Sequence, residues 1–213
     1  MPKIPRGQEQ INSVKEQILE SALSIIVEQG FDKLSMRKIA SRLGITATTI
    51  YNYFNSKDEL YFMIRIHGFE QLYRSFQRAR TENETTHKRL RSMIELFIRF
   101  GIEYPDYYDI MFVNRSVPKY RESVGTELEK VAFRDKEMGL KTLALVADSL
   151  LELYSSTRDF SEEDARYVAI RLWCDLNGIV TLHNSRLLHE VDDNIESLVD
   201  RLVEDIFSSA MTA

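Results

Sequence analysis

Apolar residues recur three or four positions apart along most of the chain, a spacing that places them on one face of an α-helix. The first such series runs from Ile11 to Ile26, and Gly30 follows it as a stop signal. No stretch alternates apolar and polar residues as a half-buried β-strand does, and no internal repeat or low-complexity tract occurs. The pattern therefore predicts an all-α fold with about nine helices.

Residues 35–54 are the most informative part of this pattern. Ser35 can cap a first short helix with its hydroxyl, and Gly44 can end that helix because glycine adopts a left-handed backbone conformation without steric cost. Thr46 can then cap a second helix. Two short helices joined by a tight turn are typical of a helix-turn-helix motif, but such pairs also occur in all-helical proteins that never contact DNA.

The second helix of this pair carries side chains that suit the major groove of DNA. Its buried side needs only Ile45, Ile50 and Phe54, which leaves small and hydrogen-bonding residues outside. Threonine can contact a thymine methyl group or a phosphate, asparagine can bond an adenine edge, and tyrosine hydroxyls can reach phosphates. We therefore predict a DNA-binding surface made of Ser35, Arg37, Thr46, Ala47, Thr48, Thr49, Tyr51, Asn52, Tyr53 and Lys57.

Charge is distributed unevenly between this region and the rest of the chain. The formal net charge is -5, yet residues 1–57 hold eight Lys and Arg against five Asp and Glu, a net of +3, and the remainder holds 20 against 28, a net of -8. Four basic residues flank the second helix of the motif: Arg37, Lys38, Arg42 and Lys57. Such residues supply the sequence-independent attraction to phosphates. We assign Tyr53 and Lys57 to phosphates, and Arg37 to a phosphate or a base edge.

Two further signals lie beside the motif. Gly30-Phe31 closes the preceding helix, and Ser56 with Glu59 has the spacing of a capping box that opens a long helix. With these pieces, the stretch from about Ile11 to Arg74 resembles the TetR family of bacterial transcriptional regulators. The matching residues are Ala22, Gly30-Phe31, Ile39-Ala40, Leu43-Gly44-Ile45, Ile50-Tyr51, Tyr53-Phe54, Lys57 and Glu59-Leu60. The resemblance implies a repressor that a small-molecule effector releases from a palindromic DNA operator.

The chain is expected to divide into four parts. Residues 1–10, with two prolines and a glycine, predict a flexible arm, and residues 11–57 predict the DNA-binding domain. Residues 58–80 predict a connecting helix. Residues 81–213 then form a helical regulatory domain that binds the effector and forms the dimer.

Inside the regulatory domain, several helix boundaries can be predicted. Pro118 is expected to end a short aromatic helix, and residues 120 to about 157 predict one long helical region. Ser161 with Asp164 has the spacing of a capping box for the following helix, which extends toward His189.

The segment from Phe97 to Phe112 and the run at residues 173–178 resemble the C-terminal domain of one TetR branch, which is named for a Trp, His, Gly signature. Asn177 stands where that signature has His. Aromatic side chains with a few polar anchors are the usual lining of a small-molecule site, and they are equally compatible with an ordinary core. The effector-site candidates are Phe97, Tyr104, Tyr107, Tyr108, Met111, Phe112, Trp173 and Asn177.

The last two helices carry more apolar residues than one domain needs to bury. We therefore expect them to pair with their copies in the four-helix bundle of a homodimer, with a buried intramolecular role as the alternative. Two-fold symmetry then predicts operator half-sites about one helical turn or more apart.

No residue pattern supports catalysis, and neither a cofactor nor a metal is predicted. Cys174 and His183 are nine residues apart, which places them on opposite sides of a helix, so they do not form a nucleophile and base, and Cys174 is predicted to lie in the core. His183 and His189 are poorly aligned for a shared metal. A helical enzyme and a small-molecule-binding protein that does not bind an operator are the alternatives.

The single cysteine fits a reducing cytoplasm. No apolar run approaches the length of a membrane span or of a signal peptide. We therefore expect a cytoplasmic protein with no membrane partner.

Overall fold

The computed structural model describes residues 7–113, 119–155 and 159–212. All regular secondary structure in these ranges is helical, which confirms the predicted fold class. The α-helices are α1 Gln8–Gln29, α2 Met36–Leu43, α3 Ala47–Tyr51, α4 Lys57–Glu82, α5 Thr86–Glu103, α6 Pro105–Tyr108, α7 Tyr120–Ser123, α8 Glu129–Tyr154, α9 Glu162–Asn184 and α10 Ile195–Thr212. Short 3-10 turns lie at Phe31–Lys33 and Leu188–Glu190, and a π-helical turn lies at Asp109–Val113.

Contacts divide the chain into two compact units. The N-terminal unit comprises Met1–His67 and Val113–Asp135, and the C-terminal unit comprises Gly68–Phe112 and Lys136–Ala213. Nothing in the hydrophobic pattern indicated that residues 113–135 group with the N-terminal residues. The functional division expected at residues 57 and 80 stays a prediction.

The N-terminal unit is built on the three helices predicted around the helix-turn-helix motif. Helix α1 packs against α2, and α2 packs against α3. Its most deeply buried side chains in these helices, each no more than 1% exposed, are Ile18, Ala22, Ile25, Ile39 and Ile50. Burying one such Ile side chain stabilises a fold by about 1.5 to 3 kcal/mol, so these helices hold one another in place.

The helix ends of this unit follow the signals in the sequence. The Ser35 hydroxyl accepts the backbone N–H three residues later at 3.3 Å, and Gly44 ends α2 with a φ of 65°. The Ser56 hydroxyl accepts the Glu59 backbone N–H at 3.1 Å. The Glu59 carboxylate accepts the Asn55 backbone N–H at 2.7 Å, so the returning bond of the expected capping box reaches one residue further back.

Two helix boundaries differ from those expected, and two expected features lie outside the described residues. Helix α1 begins at Gln8 rather than near Ile11, and residues 1–6 of the expected arm lie outside the described residues. Pro118, the expected helix breaker, also lies outside them. Helix α9 ends at Asn184 instead of continuing toward His189.

The long helical region expected from residue 120 is interrupted, so that prediction is wrong in part. Helix α7 ends at Ser123, α8 begins at Glu129, and Gly125 lies between them with a φ of 78°. A left-handed residue cannot continue an α-helix, which explains the break.

The C-terminal unit buries one large core among α5, α9, α10 and parts of α4 and α8. The Ser161 hydroxyl accepts the Asp164 backbone N–H at 3.1 Å and the Asp164 carboxylate accepts the Ser161 backbone N–H at 2.9 Å, which confirms the capping box of α9. At the far end of the core, the Tyr154 hydroxyl donates to the Ala210 carbonyl and joins α8 to α10.

Candidate nucleic-acid interface and aromatic cluster

Helix α3 is short, and its start is fixed by its own threonines. The Thr46 hydroxyl accepts the Thr49 backbone N–H at 3.2 Å, and the two hydroxyls are 2.9 Å apart. Thr46 and Ser35, both predicted to contact DNA, therefore also serve as helix caps. Since a hydroxyl oxygen has two lone pairs and one proton, each of these hydroxyls keeps the capacity for one further hydrogen bond.

The outer surface of α3 and its C-terminal end carries three exposed candidates: Thr48, Tyr51 and Asn52. Tyr51 is the most prominent of them, with 54% of its surface exposed. Ala47, Thr49 and Tyr53 are half-buried. The exposed set combines a methyl-bearing hydroxyl, a phenol and an amide, which together can read base edges and bind phosphates.

The inner surface of α3 differs from the expectation at one position. Ile50 and Phe54 are buried, at 0% and 3% exposure, as predicted. Ile45 is 37% exposed, so its expected place on the buried side is wrong. Ile45 lies in the turn before the cap Thr46, where its backbone N–H donates to the Ala40 carbonyl at 3.0 Å and the residue stays partly in contact with solvent.

The four basic side chains that flank α3 differ in what they contact. Arg42 binds Glu28 of α1, and the Lys38 ammonium donates to the Gln29 side chain at 2.7 Å. The Lys57 ammonium lies 4.6 Å from the centre of the Phe31 ring, a cation–π contact. Arg37 is exposed and has no ion pair or hydrogen bond within the part of the chain that the structure describes.

One basic residue near the motif was missed by the sequence analysis. Lys33 ends the 3-10 turn before α2, is exposed, and has no partner among the described residues. Its position in the sequence, two residues before the Ser35 cap, could have identified it, because a cation there lies close to the start of the motif. Arg37 and Lys33 are therefore two exposed cations of this region that no described residue engages, and the ring contact of Lys57 leaves its charge uncompensated as well.

In the C-terminal unit, five of the effector-site candidates come together. The ring centre of Phe112 lies 5.2 Å from Tyr108, 5.6 Å from Phe97 and 6.2 Å from Trp173. We call Phe97, Tyr108, Phe112 and Trp173 the aromatic cluster. Phe97 and Tyr108 are buried, whereas Trp173 is 42% exposed. The cluster thus extends from the core to the surface of this unit.

A polar group lies at the buried end of the aromatic cluster. The Tyr108 hydroxyl is 2.9 Å from the Asn177 side-chain oxygen, 3.0 Å from the Asn177 backbone carbonyl and 3.0 Å from the Thr181 hydroxyl. Burial raises the pKa of Tyr108 above its usual value, so this phenol stays protonated. Asn177 is the fifth candidate, and it presents an amide where the related signature has an imidazole.

The other three effector-site candidates, Tyr104, Tyr107 and Met111, lie outside the aromatic cluster. Tyr104 packs against Phe100 at a ring distance of 5.6 Å and is 47% exposed. Met111 is buried, and both Met111 and Tyr107 lie against Gly68 of α4, where no room is left for a Cβ atom.

The residues considered for catalysis or metal binding are placed differently from the expectation. Cys174 is exposed, so the prediction that it lies in the core is wrong. Leu172 and Leu176 take the buried side of α9, and Cys174, between them, points outward. The rings of His183 and His189 lie 5.4 Å apart because the chain turns after α9, a proximity that helix spacing alone did not predict. Within the described ranges, no three His, Cys, Asp or Glu side chains are placed to hold a metal.

None of the described helices combines the length and the apolar composition that a membrane crossing requires.

Two family profiles match the chain. One, described as bacterial regulatory proteins of the tetR family, matches residues 18–64. The other, described as a tetracyclin repressor-like C-terminal domain, matches residues 90–206.

The chain is also similar to individual regulators. It is 23% identical over 170 residues to the HTH-type transcriptional activator FasR of Mycolicibacterium smegmatis, a match that covers 80% of this chain and 69% of FasR. The structure of the fatty acid degradation regulator FadR from Bacillus halodurans superposes with a TM-score of 0.67 at 18% identity, over 96% of this chain and 97% of that one. FadR from Bacillus subtilis in complex with stearoyl-CoA superposes with a TM-score of 0.68 at 18% identity, over 91% and 97%. At these identities the two structures establish a shared fold.

Proposed function

The chain belongs to the TetR family of bacterial regulatory proteins, and we propose that it is a homodimeric repressor that leaves a palindromic operator when it binds a long-chain acyl effector. Members of this family are DNA-binding transcriptional regulators and not enzymes. The operator, the effector, the dimer and the sign of regulation are the proposed parts.

The observation that carries the operator proposal is the surface of α3. Thr48, Tyr51 and Asn52 are exposed there, and Arg37 on the contacting helix α2 is exposed and has no partner among the described residues. Base-reading groups beside a free cation supply both sequence discrimination and phosphate attraction. The acidic charge of the rest of the chain disfavours DNA binding elsewhere on the protein.

Selection of genomic fragments with the purified protein, followed by footprinting at physiological salt, tests this proposal. We expect a protected palindrome whose half-sites are about one helical turn or more apart. Weak, salt-sensitive and sequence-independent binding alone would contradict it and would favour a ligand-binding protein without an operator. A reporter gene behind the selected operator then distinguishes repression from activation, the activity named for FasR.

The aromatic cluster supports an effector with an alkyl chain. Its rings offer an apolar surface that begins at the half-exposed Trp173, and the hydroxyl and amide of Tyr108 and Asn177 offer an anchor for a carbonyl group. The similar fold of the stearoyl-CoA complex of FadR makes an acyl thioester the first class to test. Binding requires the rings of the cluster to move apart, since they are in contact with one another.

Trp173 is the only tryptophan in the chain, so its fluorescence reports directly on this cluster. We expect stearoyl-CoA to change the emission saturably and to release operator DNA, with free coenzyme A and acetyl-CoA as matched controls that do neither. An unchanged emission together with unchanged operator binding would exclude long-chain acyl thioesters as the effector class.

The dimer proposal rests on the outer face of α9. Tyr167, Ile170 and Leu182 are exposed at 67%, 37% and 42%, and Cys174 lies on the same side of the helix. Apart from the neighbouring residues and the backbone of α9 itself, no atom of the described residues lies within 4 Å of where a Cβ would be at Gly178, so a second helix can approach closely there. An apolar stripe with a glycine suits self-association about a two-fold axis.

A further inference from the structure

Two histidines meet at the C-terminal end of α9. The ring centres of His183 and His189 lie 5.4 Å apart, and the spacing of a continuous helix does not apply to them because α9 ends at Asn184. His183 is half-buried and His189 is exposed, so an ion in solution can reach the pair. Two imidazoles are therefore placed where they can act together on one ligand.

The turn after α9 determines how the two histidines approach each other. The Arg186 backbone N–H donates to the His183 carbonyl at 2.9 Å, and the His189 backbone N–H donates to the Arg186 carbonyl at 3.1 Å. Arg186 has a φ of 63°, a left-handed conformation that is uncommon for a residue with a side chain and that reverses the chain here. Leu188, only 9% exposed, holds the following 3-10 turn against the core. The backbone therefore fixes the position of His189 relative to His183.

Asn184 fixes the proton of His183 on one ring nitrogen. The Asn184 Nδ2 donates to the Gly101 carbonyl at 2.9 Å, which leaves its Oδ1 facing the His183 Nδ1 at 3.1 Å. An amide oxygen only accepts hydrogen bonds, so the His183 Nδ1 carries the proton. In the neutral ring, Nε2 then keeps its lone pair, which is the form of histidine that binds a metal. A hydrogen bond from the other ring nitrogen to an oxygen is the usual support of a metal-binding histidine.

The spacing of the two rings suits a shared transition-metal ion. A Zn–N bond is about 2.0 to 2.1 Å long, so two imidazoles on one tetrahedral ion have ring centres about 5 Å apart. The observed 5.4 Å is close to that value. Imidazole nitrogen is a ligand for Zn²⁺, Ni²⁺ and Cu²⁺, whereas Mg²⁺ and Ca²⁺ prefer oxygen. Since no third His, Cys, Asp or Glu side chain of the described residues joins the pair, water completes the coordination.

Packing alone is a poor explanation for this contact. Leu188 anchors the 3-10 turn, and His189 beside it stays exposed, so its imidazole adds little buried apolar area. The Asn184 amide already joins α9 to α5 through the Gly101 carbonyl, and this bond needs no histidine beside it. The arrangement is better explained by a ligand that both imidazoles bind.

We propose that His183 and His189 form a binding site for a divalent late first-row transition-metal ion, with Asn184 as the positioning residue of His183. The bound ion joins the end of α9 to the 3-10 turn that precedes α10. This inference goes beyond the proposed function and does not depend on the operator, the effector or the dimer.

Titration of the untagged full chain with Zn²⁺, after a chelator has removed any metal, tests the site by isothermal titration calorimetry. His183→Gln and His189→Gln should each weaken Zn²⁺ binding by at least about tenfold, since even the loss of a supporting group weakens metal binding by about 10- to 100-fold. His87→Gln is the matched control, because it makes the same change at an exposed histidine of α5 and should leave the affinity unchanged. No saturable binding, or binding that survives the substitution of His183 or of His189, would overturn the proposal.

Nuclear magnetic resonance of the histidine ring nitrogens distinguishes a metal site from a simple ring contact. In the metal-free chain we expect His183 to carry its proton on Nδ1, and Zn²⁺ should shift resonances of both the His183 and the His189 ring. This measurement uses the unsubstituted chain, so it does not depend on the folding of a variant. A proton on the His183 Nε2 instead, or a shift of only one of the two rings, would overturn the proposal.

The role of Asn184 has its own test. Asn184→Ala removes the acceptor of the His183 Nδ1 proton but keeps both imidazoles, so we expect Zn²⁺ affinity to fall by about 10- to 100-fold with the stoichiometry unchanged. An unchanged affinity in Asn184→Ala would show that Asn184 does not position His183.

Discussion

Arg42 of α2 binds Glu28 of α1 through two contacts, Nη2 to Oε2 at 2.6 Å and Nη1 to Oε1 at 3.0 Å, and its Nη1 also donates to the Ser24 hydroxyl at 2.7 Å. The bond to Arg42 lowers the pKa of Glu28, and the same bond raises the pKa of Arg42, so the pair stays ionised. The pair joins α1 to α2 and leaves the Arg42 charge locally neutralised, which makes Arg37 the freer of the two arginines of α2.

Arg37→Ala should therefore weaken binding to every DNA sequence. If Arg37 contacts one phosphate, the slope of log Kd against log salt should fall by about 0.9, because one fewer counterion is released. Fluorescence anisotropy over a salt series on operator and random DNA measures this. Arg42→Ala is the matched control, and it should change the slope less while lowering the melting temperature. If Arg37→Ala and Arg42→Ala change the salt slope equally, the conclusion that Arg37 is the cation available to a phosphate is wrong.

Asn52→Ala should act mainly at the cognate operator. An amide that bonds a base edge contributes about 1 to 3 kcal/mol of discrimination, whereas random DNA offers it no matched partner. Kd values of the variant on operator and random duplexes at one salt concentration test this. Lys57→Ala is the comparison, expected to weaken both duplexes alike. If Asn52→Ala and Lys57→Ala each lower both affinities equally, the assignment of Asn52 to a base is wrong.

Gly101→Ala should destabilise the C-terminal unit. A Cβ atom there would lie 2.5 Å and 2.9 Å from the two methyl groups of Val180, and overpacking of this kind costs about 1 to 3 kcal/mol. Denaturant unfolding gives the free energy of unfolding directly. Val180→Ala removes the atoms in conflict, so the double variant should be more stable than the sum of the single effects predicts. Strict additivity would show that the helices move apart instead.

Ile170→Asp should convert the dimer to a monomer. The substitution places a charge on the exposed apolar face of α9. Burying this unpaired charge against a second copy is unfavourable by more than the attraction between the subunits is favourable. Light scattering after size exclusion gives the molar mass. Val124→Asp is the control, because Val124 is an exposed apolar residue of the N-terminal unit, at 53%. A mass unchanged by Ile170→Asp, or a monomeric unsubstituted chain, would refute the dimer face.

Asp135 should make stability depend on pH in a direction opposite to that of most carboxylates. Burial raises its pKa to about 6, so the folded state binds this proton more tightly than the unfolded state does. Its contribution to the free energy of unfolding is therefore full below about pH 4 and is lost as the pH rises through about 6. The melting temperature of the unsubstituted chain relative to Asp135→Asn should rise on acidification from about pH 7 to about pH 4. If the difference in melting temperature between the unsubstituted chain and Asp135→Asn stays constant or falls on acidification, the raised pKa of Asp135 is wrong.

The sequence predicted local features well because these depend on neighbouring residues. The capping hydroxyls of Ser35 and Thr46, the left-handed Gly44 and the Ser161 capping box act within one helical turn of their own position. The all-helical class follows from apolar spacing, which is also local. The candidate residues of both sites were chosen from the chemistry of their side chains. Their roles in binding DNA and an effector stay predictions.

Only the tertiary structure decided which groups are free and which are engaged. Arg37 and Arg42 are equally basic in the sequence, and the approach of α1 neutralises one of them through Glu28. The exposure of Cys174 and the contact of His183 with His189 likewise depend on how helices turn and pack. The grouping of residues 119–135 with the N-terminal unit, where Asp135 lies beside Arg65, joins parts of the chain far apart in sequence. A hydrophobic pattern specifies that a face is buried but not which distant face covers it, and that choice is made by packing.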